Sequence, residues 1–235
     1  MSQSPSAGTV LIVGASRGLG HAMAAELARR GWGVIGTARE EAGTELHALA
    51  AQYPERVRTE LVDMIDPGQI DALRRRLDDE RLDMLFVNAG TTTGDPLAEV
   101  GAVADTEFMR VMTTNALAPL RIIEALQDRV PADGLVGAMS SGQGSIANNE
   151  RGQREVYRAS KAALNMLMKS FAARPENRSR AVLLLAPGWI QTDLGGPDAP
   201  FTMEETVPSL VDVLLAKRGQ PGIEFLDRFG KTVPW

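Results

Sequence analysis

Tyr157 and Lys161 lie four residues apart in the segment Tyr157-Arg158-Ala159-Ser160-Lys161, which has a helical period. Residues at that spacing share one face of a helix, so a phenol hydroxyl and an ammonium group can serve one site. A phenol titrates near 10, and bringing it near neutrality takes about 4 kcal/mol of differential stabilisation. A cation about 4 Å away at an effective dielectric of about 20 supplies an interaction of that size, before desolvation opposes it. Such a pair suits proton transfer to or from a carbonyl or alcohol. Alone, the spacing is also that of any exposed helix pair. Upstream, the apolar run 135–139 leads into Ser140-Ser141-Gly142. That places a hydroxyl at the carboxyl end of a strand, where open α/β sheets bind their ligands. Ser141 is the candidate to polarise a carbonyl while Tyr157 donates the proton. Ser140 and Ser145 read as structural serines.

A second constellation suits a phosphate. The apolar run 10–13 is followed by Gly14-Ala15-Ser16-Arg17-Gly18-Leu19-Gly20 and then by a helical segment. Glycines in such a turn allow positive φ and close approach of the backbone to a pyrophosphate, and the helix start offers free N–H groups and a positive dipole end. The spacing is Gly-x-x-x-Gly-x-Gly rather than the standard Gly-x-Gly-x-x-Gly. A dinucleotide carrying only a ribose 2′-hydroxyl normally meets an acid at the end of the second strand. Here the second run ends in Thr37-Ala38 and the next residue is Arg39. Arg17 and Arg39 together suit a 2′-phosphate, so NADP(H) is expected in preference to NAD(H). Glu40 and Glu41 follow and are expected to open the next helix, where acids complement the dipole.

These residues need elements to position them. Apolar runs at 10–13, 33–37, 57–62, 84–87, 135–139 and 181–186 alternate with helical segments at 20–30, 40–52, 69–80, 105–127 and 157–174. The runs read as strands buried on both faces, so the pattern predicts an α/β fold: a parallel sheet with helices on both faces. Asp66-Pro67 opens one helix and Gly31 closes another. Residues 101–104 read as a loop or helix start, 201–217 as a last helix and 223–226 as a final edge strand. The 235 residues, with no linker or repeat, predict a single domain over 1–235. A net charge of −5 argues against nucleic acid as a partner, and the lack of cysteine excludes thiol chemistry. His21 and His47 have no companion ligands at helical spacing, so no metal site is expected. No run is long enough to span a membrane, the lead-in at residues 1–8 has no signal-peptide pattern, and a cytoplasmic location is expected. Met109, Met112, Met166 and Met168 read as core or pocket fillers, as do Trp32, Trp189 and Trp235 as packing residues, with Trp189 also placed to cover a nicotinamide. Arg74-Arg75-Arg76 reads as a solvated helix face. Asp193 reads as a cap for the turn after it.

Taken in order, Gly14-x-x-x-Gly18-x-Gly20, Asn88-Ala89-Gly90, Asn115, Ser141, Tyr157-x-x-x-Lys161 and Pro187-Gly188 resemble the short-chain dehydrogenase/reductase family over almost the whole chain. The resemblance implies a Rossmann-type doubly wound sheet of about seven strands and hydride transfer between the nicotinamide and a carbonyl or alcohol substrate. It implies Ser16 and Leu19 in the phosphate loop, and Asp63 and Met64 beside the adenine. Asn88-Ala89-Gly90 would lie under the adenosine, and Ile190 and Thr192 at the carboxamide. Lys161, with Tyr157, would also contact the nicotinamide ribose, and Asn115 would anchor a water in a relay to Lys161. A homodimer through helices 115–127 and 157–174 follows from likeness alone. Met139-Ser140-Ser141, Tyr157 through Met166, Thr192-Asp193-Leu194-Gly195-Gly196 and the ending Gly230-Lys231-Thr232-Val233-Pro234-Trp235 are similar to the C-factor and sniffer-like carbonyl reductases. That likeness leaves open an NADP(H)-binding sensor with little turnover, and the fold alone leaves open another reaction, such as dehydration or epimerisation. Two features depart from the family. Tyr157 follows Ser141 by sixteen residues, a longer gap than usual, and Val87 replaces a common asparagine.

Overall fold

The computed structural model describes residues 7–235; of the lead-in at 1–8, residues 1–6 lie outside the described part. Seven strands form one parallel sheet: β1 (Thr9–Val13), β2 (Gly33–Ala38), β3 (Val57–Leu61), β4 (Met84–Val87), β5 (Leu135–Met139), β6 (Ala181–Ala186) and β7 (Gly222–Asp227). Their order is β3-β2-β1-β4-β5-β6-β7, a Rossmann-type doubly wound arrangement. The order reverses between β1 and β4, whose last residues Val13 and Val87 are paired. A crevice must open there, because the loops leaving these strands turn to opposite faces.

The helices are α1 (Gly18–Arg29), α2 (Glu45–Gln52), α3 (Pro67–Arg76), α4 (Asp105–Met112), α5 (Ala118–Leu126), α6 (Glu155–Ala173) and α7 (Met203–Lys217). Leu73 of α3, Ile122 of α5 and Met168 and Phe171 of α6 pack on one face of the sheet. Met23 and Leu27 of α1, Leu46 of α2 and Leu210 and Leu214 of α7 pack on the other. Burying a side chain such as Phe86 or Phe171 contributes about 1.5–3 kcal/mol, and truncating either to alanine costs about 3–5 kcal/mol.

Four details correct the sequence reading. β3 is not buried on both faces: it is an edge strand, and Arg58 and Glu60 form ion pairs with Glu80 and Arg76 along it. Glu40 and Glu41 do not open a helix. Gly43 at φ +81 turns the chain first, and α2 begins only after Thr44, whose side chain joins His47 in a capping box. The segment 105–127 is not one regular helix, since Thr113–Leu117 forms a π-turn between α4 and α5. Pro119 explains this, because it has no N–H for the carbonyl of Asn115 four residues earlier. Finally, Met109 and Met166 are exposed, at 58% and 64%, whereas Met168 is buried as expected.

Asp66 caps α3 by accepting from Gly68 and Gln69 N–H, with Pro67 in the first turn, as its sequence predicts. Arg74 and Arg76 are tied to Asp128 and Glu60 on that face. Trp32 is buried, and Trp235 packs on Phe225. Among the described residues, no helix is long and apolar enough to cross a membrane.

Candidate active site

The loops at the carboxyl ends of β1 to β6 enclose a cleft of about 800 Å³. Every residue expected at the cofactor or the reacting group lines it, except Gly20 and Asn115. At one end the turn from β1 to α1 is held by Gly14, whose N–H donates to Thr37 Oγ1 and whose carbonyl accepts from Asn88 Nδ2. Gly14 has φ +85, and a Cβ there would lie 2.6 Å from Ala89 Cβ, so only glycine lets the turn pass the end of β4. Gly20 serves packing rather than a ligand: a Cβ on it would stand 2.1 Å from the Gly14 carbonyl oxygen. Gly18, at φ +57, faces open space.

The first turn of α1 has no side-chain cap and no acid, with Arg17 at the N-cap. Its N–H groups and dipole are therefore free for an anion, and the glycine cradle leaves room for one. Arg17 and Arg39 line the same end of the cleft, both well exposed. Arg17 also pairs with Asp193 of the β6–α7 segment at 3.0 Å. Asp193 is thus not the cap it was expected to be; Thr192 Oγ1 accepts from Gly195 N–H instead. Together these features fit a phosphate-bearing dinucleotide.

At the other end stand Ser141, Tyr157 and Lys161. Ser141 leaves β5 and caps a short 3-10 turn, accepting from Gln143 N–H at 3.1 Å, and its hydroxyl lies near that of Tyr157. Tyr157 and Lys161 share the buried face of α6. Lys161 Nζ donates to the Met139 carbonyl at 2.8 Å and lies 5.9 Å from the Tyr157 ring centre. Burial pushes the lysine down to about 8. Burial also raises Tyr157 above its usual value, against smaller lowering by the nearby Ser141 hydroxyl and the Arg154 charge. The expectation that Lys161 draws the phenol toward neutrality does not hold in this state. The ammonium is directed to a backbone carbonyl, and desolvation outweighs the remaining charges on the phenol.

Asn115 sits behind the cleft, fully buried. Its Nδ2 donates to Thr91 O at 2.8 Å and Ser160 Oγ at 2.9 Å, and its Oδ1 accepts from Thr91 N–H. The side chain thus fixes the loop after β4 to α6, and Pro119 cannot donate to its main-chain carbonyl. Ser140 is structural, donating to Asn165 Oδ1.

Sequence reasoning missed Thr92, Arg110, Gln143 and Arg154, all of which line the cleft. Thr92, Gln143 and Arg154 belong to loops or a helix start with no periodic signal, Arg110 is one polar residue in the last turn of α4, and only the unusual length of the segment after Ser141 pointed toward two of them. Trp189 lines the cleft as well, half exposed, with Nε1 donating to Gly195 O.

The fold and this cleft define a dinucleotide-dependent oxidoreductase, and comparison with known proteins narrows the class. The sequence model of the short chain dehydrogenase family matches residues 8–200, and the chain belongs to that family. It is 58% identical to a short-chain dehydrogenase/reductase of Burkholderia multivorans in a crystal structure with bound NADP, with a TM-score of 0.95 over 97% of this chain and 99% of the other. A carbonyl reductase of Pseudomonas aeruginosa PAO1 in complex with NADP is 36% identical, with a TM-score of 0.89 over 97% of this chain and 99% of the other. Among curated proteins, the C-signal of Myxococcus xanthus is 35% identical over 156 residues, which is 66% of this chain and 93% of that protein.

Proposed function

We propose that the chain, acting as one catalytic domain, is an NADP(H)-dependent reductase of carbonyl compounds. One observation carries the reading: a serine, a tyrosine and a lysine converge at one end of a cleft whose other end offers an uncapped helix and two arginines. Bound there, the dinucleotide would supply the hydride to the carbonyl carbon. Arg17 and Arg39 would hold the 2′-phosphate, and the first turn of α1 with Gly14 and Gly18 the diphosphate. Asp63 and Met64 at the adenine, and Ile190 and Thr192 at the carboxamide, complete the same reading by family likeness.

Ser141 holds and polarises the carbonyl oxygen, and Tyr157 delivers a proton to it. The raised affinity of Tyr157 for its proton suits this direction, since the phenol stays protonated at neutral pH. Lys161 then stabilises the phenolate as it forms, and solvent resupplies the proton through a water held at the Asn115 carbonyl, which accepts from that water. Two arginine contacts favour NADPH over NADH, and the matched carbonyl reductase contains NADP. Exposed Leu117, Met166 and Leu167 on the helices expected to form a homodimer support that assembly.

The test is fluorescence titration with NADPH and NADH, followed by oxidation at 340 nm with a panel of aldehydes and ketones. NADPH preference with turnover that disappears in Tyr157→Phe supports the reductase. Tight NADPH binding with no turnover across the panel favours the sensor reading that the C-signal likeness brings.

A further inference from the structure

The segment between Ser141 and α6 ends in three consecutive left-handed residues: Gly152 at φ 60, Gln153 at φ 60 and Arg154 at φ 52. Two of them carry side chains, which adopt this conformation only where the surroundings enforce it. The enforced turn brings Arg154 into the wall of the cleft, its guanidinium 5.3 Å from the centre of the Tyr157 ring. No carboxylate comes within ion-pair distance of it among the described residues. The acids lining the cleft are Asp63, which accepts from Ile65 N–H, and Asp193, which is held by Arg17. The neighbouring Glu155 accepts from Val100 N–H, and Glu107 is bound by Arg110.

Arg154 is not alone. Its Nε is buried without a hydrogen-bond partner, and so are Gln143 Oε1 and Thr92 Oγ1, which line the same cleft. A buried polar group without a partner is costly, and a rotated amide, a hydroxyl and a guanidinium are all able to donate. We propose that Arg154, assisted by Gln143 and Thr92, binds a carboxylate, so that the substrate is a carbonyl compound with a carboxylate close to its reacting carbon. The planar fork of arginine matches a carboxylate, and its place over Tyr157 puts that anion beside the proton donor. The word substrate rests on the reductase reading; the anion site does not.

The experiment uses protein saturated with NADP⁺ and calorimetric titration with phenylglyoxylate and with its methyl ester. Arg154→Gln and Arg154→Lys run alongside, with NADP⁺ affinity as the check that each is folded. The acid is expected to bind the wild type about tenfold to a hundredfold more tightly than the ester, as a charge-assisted bond requires. The ratio should fall to about one in Arg154→Gln and be partly restored in Arg154→Lys. Any effect of the substitutions on Tyr157 is common to acid and ester and leaves the ratio unchanged. Equal binding of acid and ester by the wild type overturns the proposal. So does a preference that survives in Arg154→Gln, because it then comes from the charge of the bound nicotinamide. Turnover with NADPH separates the two readings. Reduction of the ester with no preference for the acid overturns the anion site and keeps the reductase. Selective binding of the acid without reduction of any carbonyl keeps the anion site and overturns the reductase.

Discussion

Lys161 makes the protein less stable than it would be without a charge at that point, and replacing it with methionine tests the argument. The ammonium is buried in the folded chain and pushed down from its ordinary 10.5 to about 8. At pH 7 the folded and unfolded chains both hold the proton, and holding it in the folded state costs about 3 kcal/mol. Between about pH 8 and 10.5 the unfolded chain keeps a proton that the folded chain has lost, so wild-type stability rises with pH across that window. Lys161→Met preserves the apolar stem and removes the charge, but leaves the Met139 carbonyl without its 2.8 Å donor. That loss costs about 1–2 kcal/mol. The variant should therefore be about 1–2 kcal/mol more stable than the wild type at pH 7, raising Tm by about 3–6 °C. At pH 9.5 the wild-type penalty has fallen to about 1.4 kcal/mol, and the advantage should be gone. Thermal and urea unfolding without dinucleotide, at both pH values, measures this. A variant less stable at pH 7, or a gap that stays constant with pH, would refute a buried charged lysine.

The other expectations concern chemistry and the cofactor end. Tyr157→Phe removes the proton donor and should lower kcat at least about a hundredfold while NADPH affinity stays within about threefold, read by steady-state kinetics and fluorescence titration. Arg39→Ser should weaken NADPH about tenfold to a hundredfold and leave NADH nearly unchanged, because only the 2′-phosphate loses a partner. Gly14→Ala places a Cβ 2.6 Å from that of Ala89 at a positive φ, and should cost about 2–4 kcal/mol in urea unfolding.

Much of this architecture is legible in the sequence because its signals are periodic. Six of the seven strands fall on the apolar runs, and Tyr157 and Lys161 share a face because helical spacing demands it. The glycines of the first turn announce themselves by residue type. What stayed hidden depends on neighbours far along the chain. Edge or centre is decided for β3 by which strands pair, though Arg58 and Glu60, alternating within 57–62, already mark a strand that is not buried on both faces. The upward shift of Tyr157 comes from its burial, and where Lys161 points instead, to the Met139 carbonyl, depends on the end of β5. Arg154 is one arginine among many until three left-handed residues direct it into the cleft. The π-turn at Asn115 was readable in principle, since Pro119 withdraws a donor from a known carbonyl.

The contact between Arg17 and Asp193 joins the two loops that face each other across the cleft, and both side chains are mostly exposed to water. An exposed pair of this kind weakens with ionic strength, over a Debye length of about 8 Å at physiological salt. Low salt strengthens this clasp and, at the same time, the pull of Arg17 and Arg39 on an incoming polyanion. The two effects oppose each other in the rate of entry. The association rate of a dinucleotide should therefore depend less steeply on salt than its arginines alone would dictate, and Asp193→Asn should restore the full slope.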